Sequence, residues 1–111
     1  MKKWMLLTIC IFPFLGYAKG YSNNYKVVEV RADASGKAYV KFDKPLIQTP
    51  AACGSGYASH LAFDLKTPGG QGILSVVLAA QASGKRIKAQ GTGTCSVYGV
   101  IESWSWGLVN N

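Results

Sequence analysis

Acidic side chains are scarce in this chain: five Asp and Glu stand against twelve Lys and Arg, and there is one histidine, His60. The carboxylates are scattered, so none forms a close sequence pair for general acid and base work. A lone histidine without Cys-x-x-Cys, His-Glu-x-x-His or calcium-loop spacing excludes the common metal sites, and no metal or other cofactor is expected. His60 and Asp64 fall four residues apart on one strand, about two pleats from each other, too far to act as a catalytic pair. No enzyme activity is expected. Internal repeats, low-complexity tracts and linkers are also missing.

Long apolar runs are nearly absent too. The one at the start, Met5 to Leu15, is too short to span a bilayer. Lys2 and Lys3 precede it, and Gly16-Tyr17-Ala18 places small residues where a signal peptidase reads. Residues 1–18 are therefore expected to be a bacterial export signal cut after Ala18, with a cut after Gly20 as second choice. Cys10 follows Ile9 rather than Gly or Ala, which argues against a lipid anchor. The remaining residues, 19–111, suffice for a single secreted or periplasmic domain without a transmembrane segment.

Cysteine is limited to three positions, of which Cys53 and Cys95 lie beyond the leader. An even pair in an exported chain predicts one disulfide. Chain-entropy arithmetic for so long a loop gives roughly 4 kcal/mol, a useful staple for a small core. Removing Lys2 and Lys3 leaves ten basic residues against five acids, a net charge of +5. The cations are dispersed, which serves solubility and also favours anionic partners.

Elements follow from pattern. Lys19 to Asn24 reads as a polar lead and Tyr25 to Ala32 as a first strand. Asp33-Ala34-Ser35-Gly36 is a hairpin turn. In Lys37 to Asp43, Ala38, Val40 and Phe42 alternate with Lys37, Tyr39 and Lys41, which predicts one buried and one wet face. A Pro- and Gly-rich loop carries Cys53, and His60 to Lys66 is a third strand. A helix is expected from about Gly70 or Gln71 to Ser83, with Ile73, Leu74, Val77 and Leu78 in the core and Gly84 as its stop. Lys85 to Gln90 makes a fourth strand and Cys95 to Val109 a fifth. Gly91-Thr92-Gly93-Thr94 lacks the Gly-Lys-Ser/Thr ending of a phosphate loop and reads as a tight turn. Gly69-Gly70-Gln71-Gly72 reads as a flexible entry to the helix.

Three strands, a helix and two strands is the element order of the OB-fold, a five-stranded Greek-key barrel with its helix between strands 3 and 4. With its export signal, size and long-range disulfide, the chain resembles in layout the B subunits of bacterial A/B toxins over Tyr25 to Val109. Those subunits are OB-fold pentamers that bind cell-surface glycans. The resemblance implies a homo-oligomeric, glycan-binding domain. No sugar-binding motif of that family is matched, and the extra N-terminal helix of several members is absent.

Aromatic residues carry the remaining signal. Trp104 and Trp106 alternate with serines, and without a bulge they share one strand face with Tyr98 and Glu102. Such a face is either core, subunit interface or a ligand platform. Tyr39 between Lys37 and Lys41 offers a second aromatic and basic surface. The candidate ligand residues are thus Tyr39, Lys41, Tyr98, Glu102, Trp104 and Trp106. The expected function is a non-enzymatic binding or assembly domain that takes a glycan or another protein. The rival readings are an anion or nucleic-acid binder through the basic strand faces, and an envelope protein or inhibitor acting by protein contacts. Of these partners nucleic acid is the least favoured.

Overall fold

The computed structural model describes residues 19–48 and 50–110, so the expected export signal lies outside the described residues. It contains six strands and one helix: β1 (Tyr21–Tyr25), β2 (Val27–Ala32), β3 (Lys37–Phe42), β4 (His60–Asp64), α1 (Pro68–Ser83), β5 (Arg86–Gly91) and β6 (Trp104–Asn110). The strands form two antiparallel three-stranded sheets, ordered β2-β3-β4 and β1-β5-β6.

This corrects the expected five-stranded barrel. The supposed polar lead is strand β1, and the chain breaks at Lys26 before β2 begins. Asn24 takes a left-handed φ of 65°, and register shifts flank the break on both sides. The sheets also meet through one parallel bridge, from Ala62 in the middle of β4 to Ser103 just before β6, rather than through a ladder. Residues 95–101 form turns where a strand was expected. The result is two three-stranded sheets, not a closed barrel.

The predicted hairpin is present. Gly36 supplies φ 95°, and the Gly36 N–H donates to the Asp33 carbonyl at 2.9 Å. Strand β3 alternates as read: Ala38, Val40 and Phe42 are buried. Leu61 and Phe63 from β4, and Ile87 and Ala89 from β5, face the same core.

The helix begins earlier than its apolar period indicates. The Thr67 hydroxyl accepts the Gly70 N–H at 2.9 Å, and Pro68 occupies the first turn, where its missing N–H costs nothing. Gly84 ends it at φ 72°. The buried stripe runs through Gly70, Val77 and Ala80, with Ile73 beside it. Leu78 is turned about 100° from Val77 and is 45% exposed, so it is not a core residue as expected. Among the described residues no helix is long and apolar enough to cross a membrane.

The segment between β3 and β4 is held at several points. Tyr21 and Ile47 exchange backbone hydrogen bonds at 3.1 and 2.7 Å. A 3-10 turn at Ala52–Tyr57 carries Cys53, which is bonded to Cys95 with a Cα–Cα distance of 6.2 Å. The expected disulfide is present.

Candidate ligand-binding face

The outer side of sheet β2-β3-β4 gathers most of the exposed chemistry. Lys37, Tyr39 and Lys41 point outward because their neighbours on β3 point inward. The register places Arg31 beside Tyr39 on one flank, and His60 beside Lys41 on the other. Ala62 lies opposite Tyr39 and is fully buried, because the chain around Glu102 crosses it: the Ala62 N–H donates to the Glu102 carbonyl at 2.8 Å. This crossing loop delivers Tyr98 to the same face.

Four rings then meet edge to face. Tyr39 packs on His60 at 5.1 Å between ring centroids and on Tyr98 at 6.0 Å, while Tyr57 meets His60 at 5.2 Å. Arg31 lies over the Tyr39 ring at 5.9 Å and Lys37 over Tyr98 at 5.7 Å. At so exposed a site such contacts order the rings more than they stabilise the fold.

Asp33 anchors this surface at the hairpin turn. It accepts the Tyr98 hydroxyl and, at 2.7 Å, the Arg31 Nε–H. Those bonds, Tyr98 first and Arg31 second, hold the Asp33 carboxyl below its ordinary range. Burial, then the bond to Asp33, pushes the Tyr98 phenol up to about 12. Burial, then the Lys41 ammonium, pulls His60 down, and its Nδ1 is buried without a hydrogen-bond partner.

The six residues singled out in the sequence divide among three places. Tyr39, Lys41 and Tyr98 share the face just described. Glu102 is inside: the residue is 1% exposed, and its carboxylate accepts backbone N–H groups from Gly20, Ala51 and Gly93. Trp104 and Trp106 do not share a face. A bulge opposite Gln90 and Gly91 inserts Ser105 and reverses the alternation. Trp104 therefore enters the core at 7% exposure, edge-on to Phe63, whereas Trp106 is 46% exposed and donates to Gln90 Oε1 at 3.1 Å.

Arg31, Asp33, Lys37, Tyr57 and His60 belong to the face but are not among those six. Arg31 and Lys37 were readable as neighbours of Tyr39 across a predicted hairpin. Tyr57 lies on a long loop whose path leaves no local signal, and His60, at the start of the expected third strand, reaches Lys41 only once the β3–β4 register is set. Among the described residues, no three His, Cys, Asp or Glu side chains come together in a way that could hold a metal ion. In comparisons with known proteins, the chain matches no family model, no curated protein and no solved structure.

Proposed function

We propose that this chain is an exported, non-enzymatic binding domain that takes an acidic glycan on the outer face of β2-β3-β4. The observation that carries this reading is Tyr39: a partly exposed ring in a four-ring cluster, flanked by Arg31, Lys37 and Lys41. A sugar's C–H face packs on an aromatic ring, and a sugar carboxylate or sulfate would reach the cations around it. Glu29 and Asp64 stand on the same face and interrupt the positive charge. A continuous polyphosphate track is therefore missing, which favours a discrete acidic sugar over a nucleic-acid strand. The disulfide and the apolar leader of residues 1–18 support export to an oxidising compartment.

Titration calorimetry with uronic-acid and sialylated oligosaccharides, beside a neutral galactose oligomer, tests the reading. Acidic sugars should bind, and Tyr39→Ala should weaken binding at least about tenfold, a loss of about 1.4 kcal/mol. Equal binding of the neutral sugar would sink the proposal. So would a preference for single-stranded DNA with a steep loss of affinity in salt.

A further inference from the structure

The opposite half of the molecule carries a different kind of surface. After Asp64 the sequence holds one acid, Glu102, and it is buried. Lys85, Arg86 and Lys88 are exposed, and the surface of α1, β1, β5 and β6 has no carboxylate. β6 is one of the two edge strands of its sheet. Just before β6, Ser103 is bridged to β4; from Ser105 onward, among the described residues, β6 makes backbone hydrogen bonds with β5 alone. β6 lacks the Lys, Pro or inward charge that can blunt an edge strand, and its bulge at Ser105 stands only at the start of this stretch.

Beside that open edge lies a cavity of about 410 Å3, between the first two turns of α1, Gly69 to Val76, and β6 from Trp104 to Gly107. Ile73, Val76 and Trp104 make it apolar. Gly69 and Gly72 line it, and the space beside them is open: a Cβ at either would meet nothing within 4 Å. On the outer side of the sheet, Trp106 and Leu108 stand half-exposed, with Lys88 paired opposite Leu108 and Arg86 opposite Asn110.

From these features we infer that the α1–β6 groove docks an extended segment of a partner protein, with apolar side chains alternating with acidic ones. Each part of the surface asks for one property of that occupant. The open backbone edge requires an extended chain with its own N–H and C=O groups. A strand laid on β6 points alternate side chains to opposite faces. Its inward set fills the apolar groove, and its outward set lies on the side of Lys88 and Arg86. A second copy of this chain would bring its own β6, which has no acid to offer. A lipid surface or a nucleic acid has negative charge but no strand backbone.

The probe is a capped synthetic peptide of alternating Val and Glu, titrated against the oxidised chain while Trp fluorescence is read, with Trp106→Phe as the spectroscopic control. Three comparisons accompany it: a Val–Lys peptide, the Val–Glu peptide with a central Val replaced by Pro, and phosphatidylglycerol vesicles. Expected are saturable binding of the Val–Glu peptide and at least a tenfold loss with the Pro peptide, which lacks one backbone donor. Joint replacement of two exposed residues, Arg86→Glu and Lys88→Glu, should reverse the preference toward the Val–Lys peptide. No binding by the Val–Glu peptide overturns the inference, as does equal binding of the Pro peptide. Preference for vesicles would assign the surface to membranes. Dimerisation without peptide that is abolished by Trp106→Ala would assign the edge to a second copy. None of these outcomes bears on glycan binding at Tyr39, which lies on the other sheet.

Discussion

Both carboxylate oxygens of Glu102 accept the backbone N–H of Gly20, at 3.2 and 3.1 Å. The same group takes the N–H of Ala51 at 3.3 Å and of Gly93 at 3.0 Å. It thereby ties the entry to β1, the loop before Cys53 and the loop before Cys95 to one buried point. A buried charge is tolerated when fixed donors surround it, and here they are all backbone.

Glu102→Gln should therefore destabilise the fold, although it removes only the charge. The amide nitrogen would face backbone N–H groups as donor against donor. Leaving buried groups unpaired costs roughly 1–3 kcal/mol, more when a charged partner is lost. Urea unfolding of the oxidised protein measures it. A shift within the scatter of surface substitutions would mean that water replaces the carboxylate in that site.

Two glycines of α1 should respond in opposite directions. A Cβ on Gly70 would lie 1.7 Å from the Asp64 carbonyl oxygen, which is backbone and must move. Gly70→Ala should cost roughly 1–3 kcal/mol, the usual range for overpacking. A Cβ on Gly72 meets nothing, so Gly72→Ala should stabilise by up to about 1 kcal/mol through helix propensity. Thermal melts of both variants decide it; equal effects would mean that the helix does not sit against the end of β4.

What the sequence made legible was local. The alternation in β3, the Asp33–Gly36 turn and the Gly84 stop are each set by neighbours in the chain, and all three appear in the structure. Strand β1 was hidden by Asn23 and Asn24, poor strand formers whose pairing is secured from a distance. The Ser22 hydroxyl donates to the Ile87 carbonyl at 3.0 Å and accepts the Ala89 N–H at 2.9 Å. Closure failed for a similar reason: the one-bridge contact between Ala62 and Ser103 depends on Glu102 turning inward, which no period records. In the candidate face, Tyr39 and Lys41 were legible on one strand. Tyr57, His60 and Tyr98 reach them only through long-range register.

The ring cluster should make stability depend on pH at both ends. His60 titrates lower in the folded protein than its ordinary value near 6.5. Its neutral form therefore favours folding, and stability should fall as pH drops below about 6.5, through the window down to the folded value. Tyr98 runs the other way: its folded value, about 12, lies above the free value of 10.0. Its contribution is whole below pH 10 and fades as pH rises toward 12. Denaturation midpoints across pH, with Tyr98→Phe as reference, should show a smaller alkaline decline in the variant, the rest coming from Tyr25, whose phenol is also raised by burial. An unchanged alkaline limb would remove Tyr98 from the account.

The two tryptophans beside the Ser105 bulge provide the sharpest test of the sheet geometry. Trp104 packs against Phe63, and Gly107 exists to make room for it: a Cβ there would lie 2.3 Å from the indole. Trp104→Ala should cost roughly 3–5 kcal/mol, the range for deleting a large core ring. Trp106 is on the other face of the same strand, half in solvent, with Gln90 as its hydrogen-bond partner. Trp106→Ala should cost far less, on the order of 1 kcal/mol, and Trp106→Phe should remove the part of the fluorescence that iodide quenches. Without the bulge both rings would share one face and respond alike. Comparable destabilisation by the two alanine variants, or quenching that survives Trp106→Phe, would place the bulge elsewhere in β6.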